Sequence, residues 1–298
     1  MEQVAIASAA STMTLPSGRT LTYLESGDPQ GMPVVFCHGW MASRLVRHPD
    51  DELTRSLGVR LISPDRPGVG GSDPSPDGSF TGVAGDLEAL VDQLGIDRLA
   101  VVGHSGGGPF ALALAHRMGA RVTAVAVASG FAPFDRPDAY RGMTPRMRGF
   151  VRLLRRAPWL CGPFLGSAPR RFREDPEKAF AKQFGRLCEA DERALADPAI
   201  RAIVLAAAVE AVAGGSGGVA GEARWLFTRP WGFSPAEIRC HVDLWYGDAD
   251  TIVPADAGRY LASVIPDSRL HVLPGEGHMV FITRWAEILR RLAAPSDV

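Results

Sequence analysis

Gly103-His104-Ser105-Gly106-Gly107 is a Gly-x-Ser-x-Gly run placed directly after the apolar stretch Leu99 to Val102 and directly before a stretch, Pro109 to Met118, of helical spacing. A serine at the tip of so sharp a strand-to-helix turn is a candidate nucleophile. The turn exposes its hydroxyl, and the glycines on either side let strand and helix approach without colliding Cβ atoms. The helix start aims free N–H groups at negative charge developing beside Ser105. Pro109 in the first helical turn gives up no hydrogen bond.

A serine hydroxyl attacks only when a base takes its proton, and the base needs a third group to orient it. Of the seven histidines, His38 and His104 flank the proposed turns, His48 and His116 fall on predicted helices, and His241 and His271 fall in or beside strand-like runs. His278 differs, lying in the glycine-rich loop Pro274-Gly275-Glu276-Gly277-His278 between a predicted strand and a terminal helix beginning near Met279. Such loops on a rigid scaffold are where catalytic side chains concentrate. Two carboxylates compete for the orienting role. Asp248 and Asp250 both follow the strand-like run His241 to Tyr246, and spacing alone does not separate them. The one not used is expected to accept backbone N–H groups in the turn. An oxyanion also needs donors, and the backbone N–H groups of Trp40, in the turn after Pro33 to Cys37, and of Gly106 are expected to converge on it. The Trp40 ring also suits a pocket wall.

These pieces together resemble the α/β-hydrolase superfamily over nearly the whole chain. The matching segments are His38-Gly39-Trp40, Asp65 to Ser72, Gly103 to Gly107, Gly247 to Pro254 and Gly275 to His278. The resemblance implies a Ser105, Asp250, His278 triad in that chain order, Asp250 being preferred to Asp248 through the proline that follows it, Pro254. It makes Asp65 and Arg66 architectural rather than catalytic. The activity it implies is that of a serine hydrolase cleaving an ester of a small to medium, largely apolar substrate. The family also hosts peptide and carbon-carbon bond hydrolases, acyl transfer, cofactor-free lyases and a few receptors, among which fold-level similarity does not choose. Serine at the nucleophile position disfavours the chemistry of aspartate-nucleophile members.

The elements that must position these residues alternate along the chain. Short apolar runs at Pro33 to Cys37, Val59 to Ser63, Leu99 to Val102, Val122 to Ala128, His241 to Tyr246 and Arg269 to Leu273 suit strands buried on both faces. An opening hairpin precedes them around Pro16-Ser17-Gly18, and stretches of helical spacing separate them. The fold expected is α/β, a mostly parallel eight-stranded sheet of α/β-hydrolase type flanked by helices, with the active loops at the strands' carboxyl ends. Residues 134–231 break the alternation and read as a helical cap inserted between the sixth and seventh strands; 1–133 and 232–298 form the core domain. Gly214-Gly215-Ser216-Gly217-Gly218 reads as a flexible cap loop lending the cap mobility, and Ser234 to Glu237 as a capping box that starts a helix. Phe131, Trp225, Trp231 and Met279, with Trp40, are expected near the site or in the cap, and Trp40, Phe131, Trp225 and Met279 are the expected substrate contacts.

At 298 residues the chain is long enough for one large core. Its formal net charge of −1 gives no nucleic-acid footprint, and no apolar run approaches the roughly 18 residues of a membrane span. The start, Met1 to Ala10, lacks the basic opening of a signal peptide, so a cytoplasmic protein is expected. The four cysteines have no metal-ligand spacing and are expected to be buried free thiols. Neither a cofactor nor a metal is expected, and the expected partner is a small-molecule substrate. Charge is uneven: residues 131–230 carry 17 Arg or Lys against 11 Asp or Glu, a balance of +6, leaving −7 on the rest. That excess reads first as solvated arginines on helix faces and second as a means of steering acidic substrates.

Overall fold

Successive residues of each apolar run point to opposite faces of a sheet, and here both faces are covered. Val34, Phe36, Leu61, Ala100, Val102 and Ala126 pack on one side. Their neighbours Val35, Ile62, Val101, Val125 and Val127 pack on the other. The computed structural model describes residues 9–76, 78–136, 138–185 and 187–293. The first eight residues of Met1 to Ala10, on which the expectation about a signal peptide rests, lie outside them.

Among the described residues eight strands, β1 (Ser11–Thr14), β2 (Thr20–Gly27), β3 (Met32–Cys37), β4 (Val59–Pro64), β5 (Leu99–His104), β6 (Val122–Ala128), β7 (His241–Gly247) and β8 (Ser268–Leu273), form one sheet in the order β1-β2-β4-β3-β5-β6-β7-β8. The β1–β2 and β2–β4 pairs are antiparallel and the rest parallel. Helices α1 (Asp51–Ser56), α2 (Phe80–Gln93) and α3 (Gly108–Met118) lie between the earlier strands. Among the described residues seven helices follow β6: α4 (Pro145–Arg156), α5 (Cys161–Leu165), α6 (Ala168–Glu174), α7 (Pro176–Phe184), α8 (Glu189–Leu195), α9 (Pro198–Ala211) and α10 (Gly217–Thr228). After β7 come α11 (Asp256–Val264), α12 (Val280–Thr283) and α13 (Trp285–Ala293). α2, α3 and α11 cover one face; α12 and α13 cover the other. Among the described residues no helix is long and apolar enough to cross a membrane.

Thr144-Pro145, Asp175-Pro176 and Asp197-Pro198 open α4, α7 and α9. In each pair the first side chain accepts a backbone N–H of the first turn and the proline occupies a position that needs no donor. The region between β6 and β7 is therefore helical, as its spacing predicts.

Five details differ from expectation. Gly217 and Gly218 belong to the first turn of α10 rather than to a loop, and a Cβ on Gly218 would lie 1.9 Å from the Gly68 carbonyl oxygen. The glycine there serves close backbone packing. Ser234 to Glu237 does form a capping box, but on one 3₁₀ turn, because Ile238 turns extended and buries on the way into β7. His48 lies in a loop before α1, whose helix starts only at Asp51, where the Asp50 side chain caps it. β8 is half-exposed, being the edge strand and carrying Arg269 and His271. All four cysteines are free, yet only Cys37 and Cys161 are fully buried.

Candidate active site

The turn after β5 carries Ser105 in a left-handed backbone conformation, φ +51°, which costs a residue with a side chain about 1–3 kcal/mol. Close packing enforces it. A Cβ on Gly103 would sit 2.7 Å from the Ala111 Cβ, and one on Gly107 would sit 1.9 Å from the Cys37 carbonyl oxygen. Strand, turn and α3 thus approach as only glycine allows, and Ser105 stands at the carboxyl end of β5.

His278 comes to the same place from the loop after β8. Its Nδ1 lies 2.8 Å from Asp250 Oδ2, while Asp250 Oδ1 accepts the N–H groups of Ile252 and Val253 at 2.7 and 2.9 Å. Asp248 does something else, accepting the Gly275 N–H at 2.7 Å and so holding the turn that leads to His278. With its Nδ1 proton directed at Asp250, neutral His278 keeps Nε2 as a base. Burial disfavours the His278 imidazolium, but Asp250, through charge and hydrogen bond, and Asp191 outweigh it and raise the pKa above the ordinary 6.5. His104 is the opposite case. Burial first, then the neighbouring His278, drives it well below its ordinary range. Its neutral ring donates from Nε2 to the His278 carbonyl at 3.2 Å and stacks on Phe281.

The Trp40 backbone nitrogen faces Gly106, for a Cβ on Gly106 would lie 2.9 Å from it. Among the described residues the Trp40 N–H meets no backbone acceptor. Arg66 braces this turn from behind, donating to the carbonyls of His38 at 2.5 Å and Gly39 at 3.1 Å. Its charge is met by the fully buried Glu222 of α10. The Trp40 indole N–H donates to the Val219 carbonyl of the same helix at 2.8 Å.

Asp191, on α8, was not singled out in the sequence. It is 1% exposed and accepts the N–H groups of His278 at 3.0 Å and Met279 at 2.8 Å, with the Cys188 thiol donating to it at 3.3 Å. No local pattern marks it, since its partners lie 87 and 88 residues away.

Ser105 and His278 line a small cavity of about 50 Å³ that Trp40 and Met279 also wall. Ser105 and Trp40 open as well onto a cavity of about 820 Å³ lined by Phe131, Phe150, Phe227 and Ile252. Trp40, Phe131 and Met279 thus lie where the sequence suggests. Trp225 does not: its ring packs on Gly78 and meets the edge of Phe110, filling the joint between α10 and the sheet-covering helices. Trp231 likewise packs against Phe80 and Phe233. Both rings are buried apolar bulk: α10 turns its Trp225 side to the core, and Trp231 follows in the stretch after that helix.

A family model described as the alpha/beta hydrolase fold matches residues 32–284. A non-heme chloroperoxidase of Streptomyces lividans is 35% identical over 41% of this chain, and that match spans only 45% of the length of the relative. A pimeloyl-[acyl-carrier protein] methyl ester esterase of Chromobacterium violaceum is 27% identical over 89% of this chain and 94% of its own. Among solved structures, an esterase from Exiguobacterium antarcticum superposes with a TM-score of 0.70 at 22% identity, covering 96% of this chain and 98% of that one, a likeness of fold.

Proposed function

The chain belongs to the alpha/beta hydrolase fold family, and from that premise we propose that it is a serine hydrolase that cleaves an ester through an acyl-enzyme. The observation that carries the reading is the 2.8 Å contact of Asp250 with His278, whose side of the cavity wall is shared with Ser105. His278 Nε2 removes the Ser105 proton as Oγ adds to the ester carbonyl. The developing oxyanion receives the N–H groups of Trp40 and Gly106, a single such donor contributing about 10²- to 10³-fold in rate. His278 then returns the proton to the departing alcohol oxygen. In the second half it deprotonates the water that releases the acid and frees Ser105. Asp250 holds the imidazole in the required tautomer and stabilises the imidazolium in both halves.

The aromatic wall formed by Trp40, Phe131, Phe150 and Phe227 favours a largely apolar acyl or alcohol group. The Chromobacterium violaceum relative, named for a methyl ester, supports ester chemistry. A fluorophosphonate probe is the test. It should add once to the protein, map to Ser105, and fail to label Ser105→Ala. Labelling of that variant at the wild-type rate would remove Ser105 from the reading.

A further inference from the structure

The larger cavity has two unlike regions. Near Ser105 it is aromatic, with Phe227 edge-on to Trp40, Phe131 and Phe150 at ring separations of 5.4, 5.5 and 5.6 Å. Elsewhere its wall carries Arg146 from α4, Arg171 from α6 and Lys182 from α7, and among the described residues no carboxylate lines it.

Among the described residues none of Arg146, Arg171 and Lys182 pairs with a carboxylate; on α6 the neighbouring Arg170 does, with Glu174. Arg146 instead donates to the carbonyls of Lys182 and Gln183 at 2.9 and 3.4 Å, which holds the α4 cation beside the end of α7. The Arg171 Nε is buried with no hydrogen-bond partner among the described residues. Three like charges drawn from three helices around one cavity repel one another, and a buried donor without an acceptor is a net cost to the fold. An anion relieves both. Guanidinium groups match carboxylate and phosphate oxygens in two-point contacts.

Resting on the ester-hydrolase reading of Ser105, we propose that the substrate is an ester carrying an anionic group, carboxylate or phosphate, at the far end of an apolar segment. The ester sits at Ser105, the apolar segment lies on the aromatic wall, and the anion meets Arg146, Arg171 and Lys182. A volume of about 820 Å³ is sufficient for such a medium-sized molecule.

The test compares monomethyl esters of dicarboxylic acids of graded length, the matching dimethyl esters, and methyl esters ending in phosphate. Two measurements are made: kcat/KM with wild-type protein, and calorimetric binding to Ser105→Ala. At low salt the anionic ester should be preferred to its neutral partner by about tenfold or more in both. That ratio should collapse at about 1 M salt, where the Debye length is about 3 Å. Arg171→Gln, or Lys182→Gln should the first not fold, should lower the ratio severalfold. The better of the carboxylate and phosphate arms identifies the anion. A ratio near one at low salt, or one that neither substitution changes, overturns the proposal even if neutral esters are cleaved. Charge-dependent binding to Ser105→Ala with no ester cleaved by wild type would leave the anion site standing and sink the hydrolase reading instead.

Discussion

Asp248 and Asp250 are two residues apart and chemically identical, yet the fold gives them different work. Asp250 spends one oxygen on two backbone N–H groups, which fixes its carboxylate plane, and offers the other to His278. Asp248 faces the Gly275 turn and supports the loop from outside. Asp250→Asn is therefore expected to lower kcat by up to about 10⁴, because an amide in that place favours the wrong imidazole tautomer. Asp248→Asn should cost far less, since an amide oxygen still accepts the Gly275 N–H. Steady-state kinetics on the ester that wild type cleaves best, with thermal melts to show that both variants fold, distinguish the two. Reversed ranks would reassign the acid to Asp248.

At the scale of elements, the helices between β6 and β7 are tied to the site at three points. Asp191 of α8 holds the His278 backbone, Glu222 of α10 meets Arg66 behind the Trp40 turn, and Val219 of α10 accepts from the Trp40 indole. Asp191 contributes charge as well as geometry. Because the folded pKa of His278 is raised and the base form is the neutral one, the acidic limb of kcat/KM should lie above pH 6.5, with activity lost as pH falls through it. Asp191→Asn removes one of the causes of that rise, so the limb should move to lower pH while kcat on the plateau falls about tenfold from the poorer hold on the loop. A lowered plateau with an unmoved limb would confine Asp191 to packing. The α10 start makes a second prediction at this scale. Gly218→Ala forces a Cβ to within 1.9 Å of the Gly68 carbonyl and should lower Tm by several degrees, whereas Gly217 has nothing within 4 Å and Gly217→Ala should leave Tm unchanged or raise it. Equal, small effects on thermal unfolding would restore the mobile loop that the glycine run suggests.

For the whole molecule, β7 separates a site at one end from a structural charge cluster at the other. Asp250 follows its last residue, while Asp243, near its first, accepts from His271 at 2.6 Å and from Arg291 at 2.9 and 3.0 Å. Burial pushes the Asp243 carboxyl up, but His271 and Arg291 prevail and hold it at about 2. A folded pKa below the unfolded one adds stability that is complete above the unfolded value, about 3.9, and is lost as pH falls toward 2. At about 1.4 kcal/mol per unit the contribution is about 2–3 kcal/mol, and it joins α13 to the sheet. Arg291→Gln should lower Tm by a few degrees at pH 7, and the gap from wild type should narrow between pH 4 and pH 2. A gap independent of pH in melting curves would show that Arg291 acts through packing alone.

The turn at Ser105, the glycine-rich loop that carries His278 and the run of strands and helices were all written in local sequence, whereas the preference for Asp250 came from the family resemblance. A nucleophile turn needs its glycines at fixed offsets, and a strand buried on both faces must be an unbroken apolar run. Even the capped starts of α4, α7 and α9 are two-residue signals. What sequence left open was decided by groups distant in the chain. Asp248 and Asp250 are alike until β7 and β8 pair and one of them faces His278. Asp191 meets His278 across 87 residues, and Arg66 meets Glu222 across 156. Trp225 reads as a site aromatic because a tryptophan in a helix between the sixth and seventh strands has the same local appearance whether it faces the cavity or Phe110. Such choices depend on how helices are rotated and pressed against the sheet, so only the assembled tertiary structure makes them.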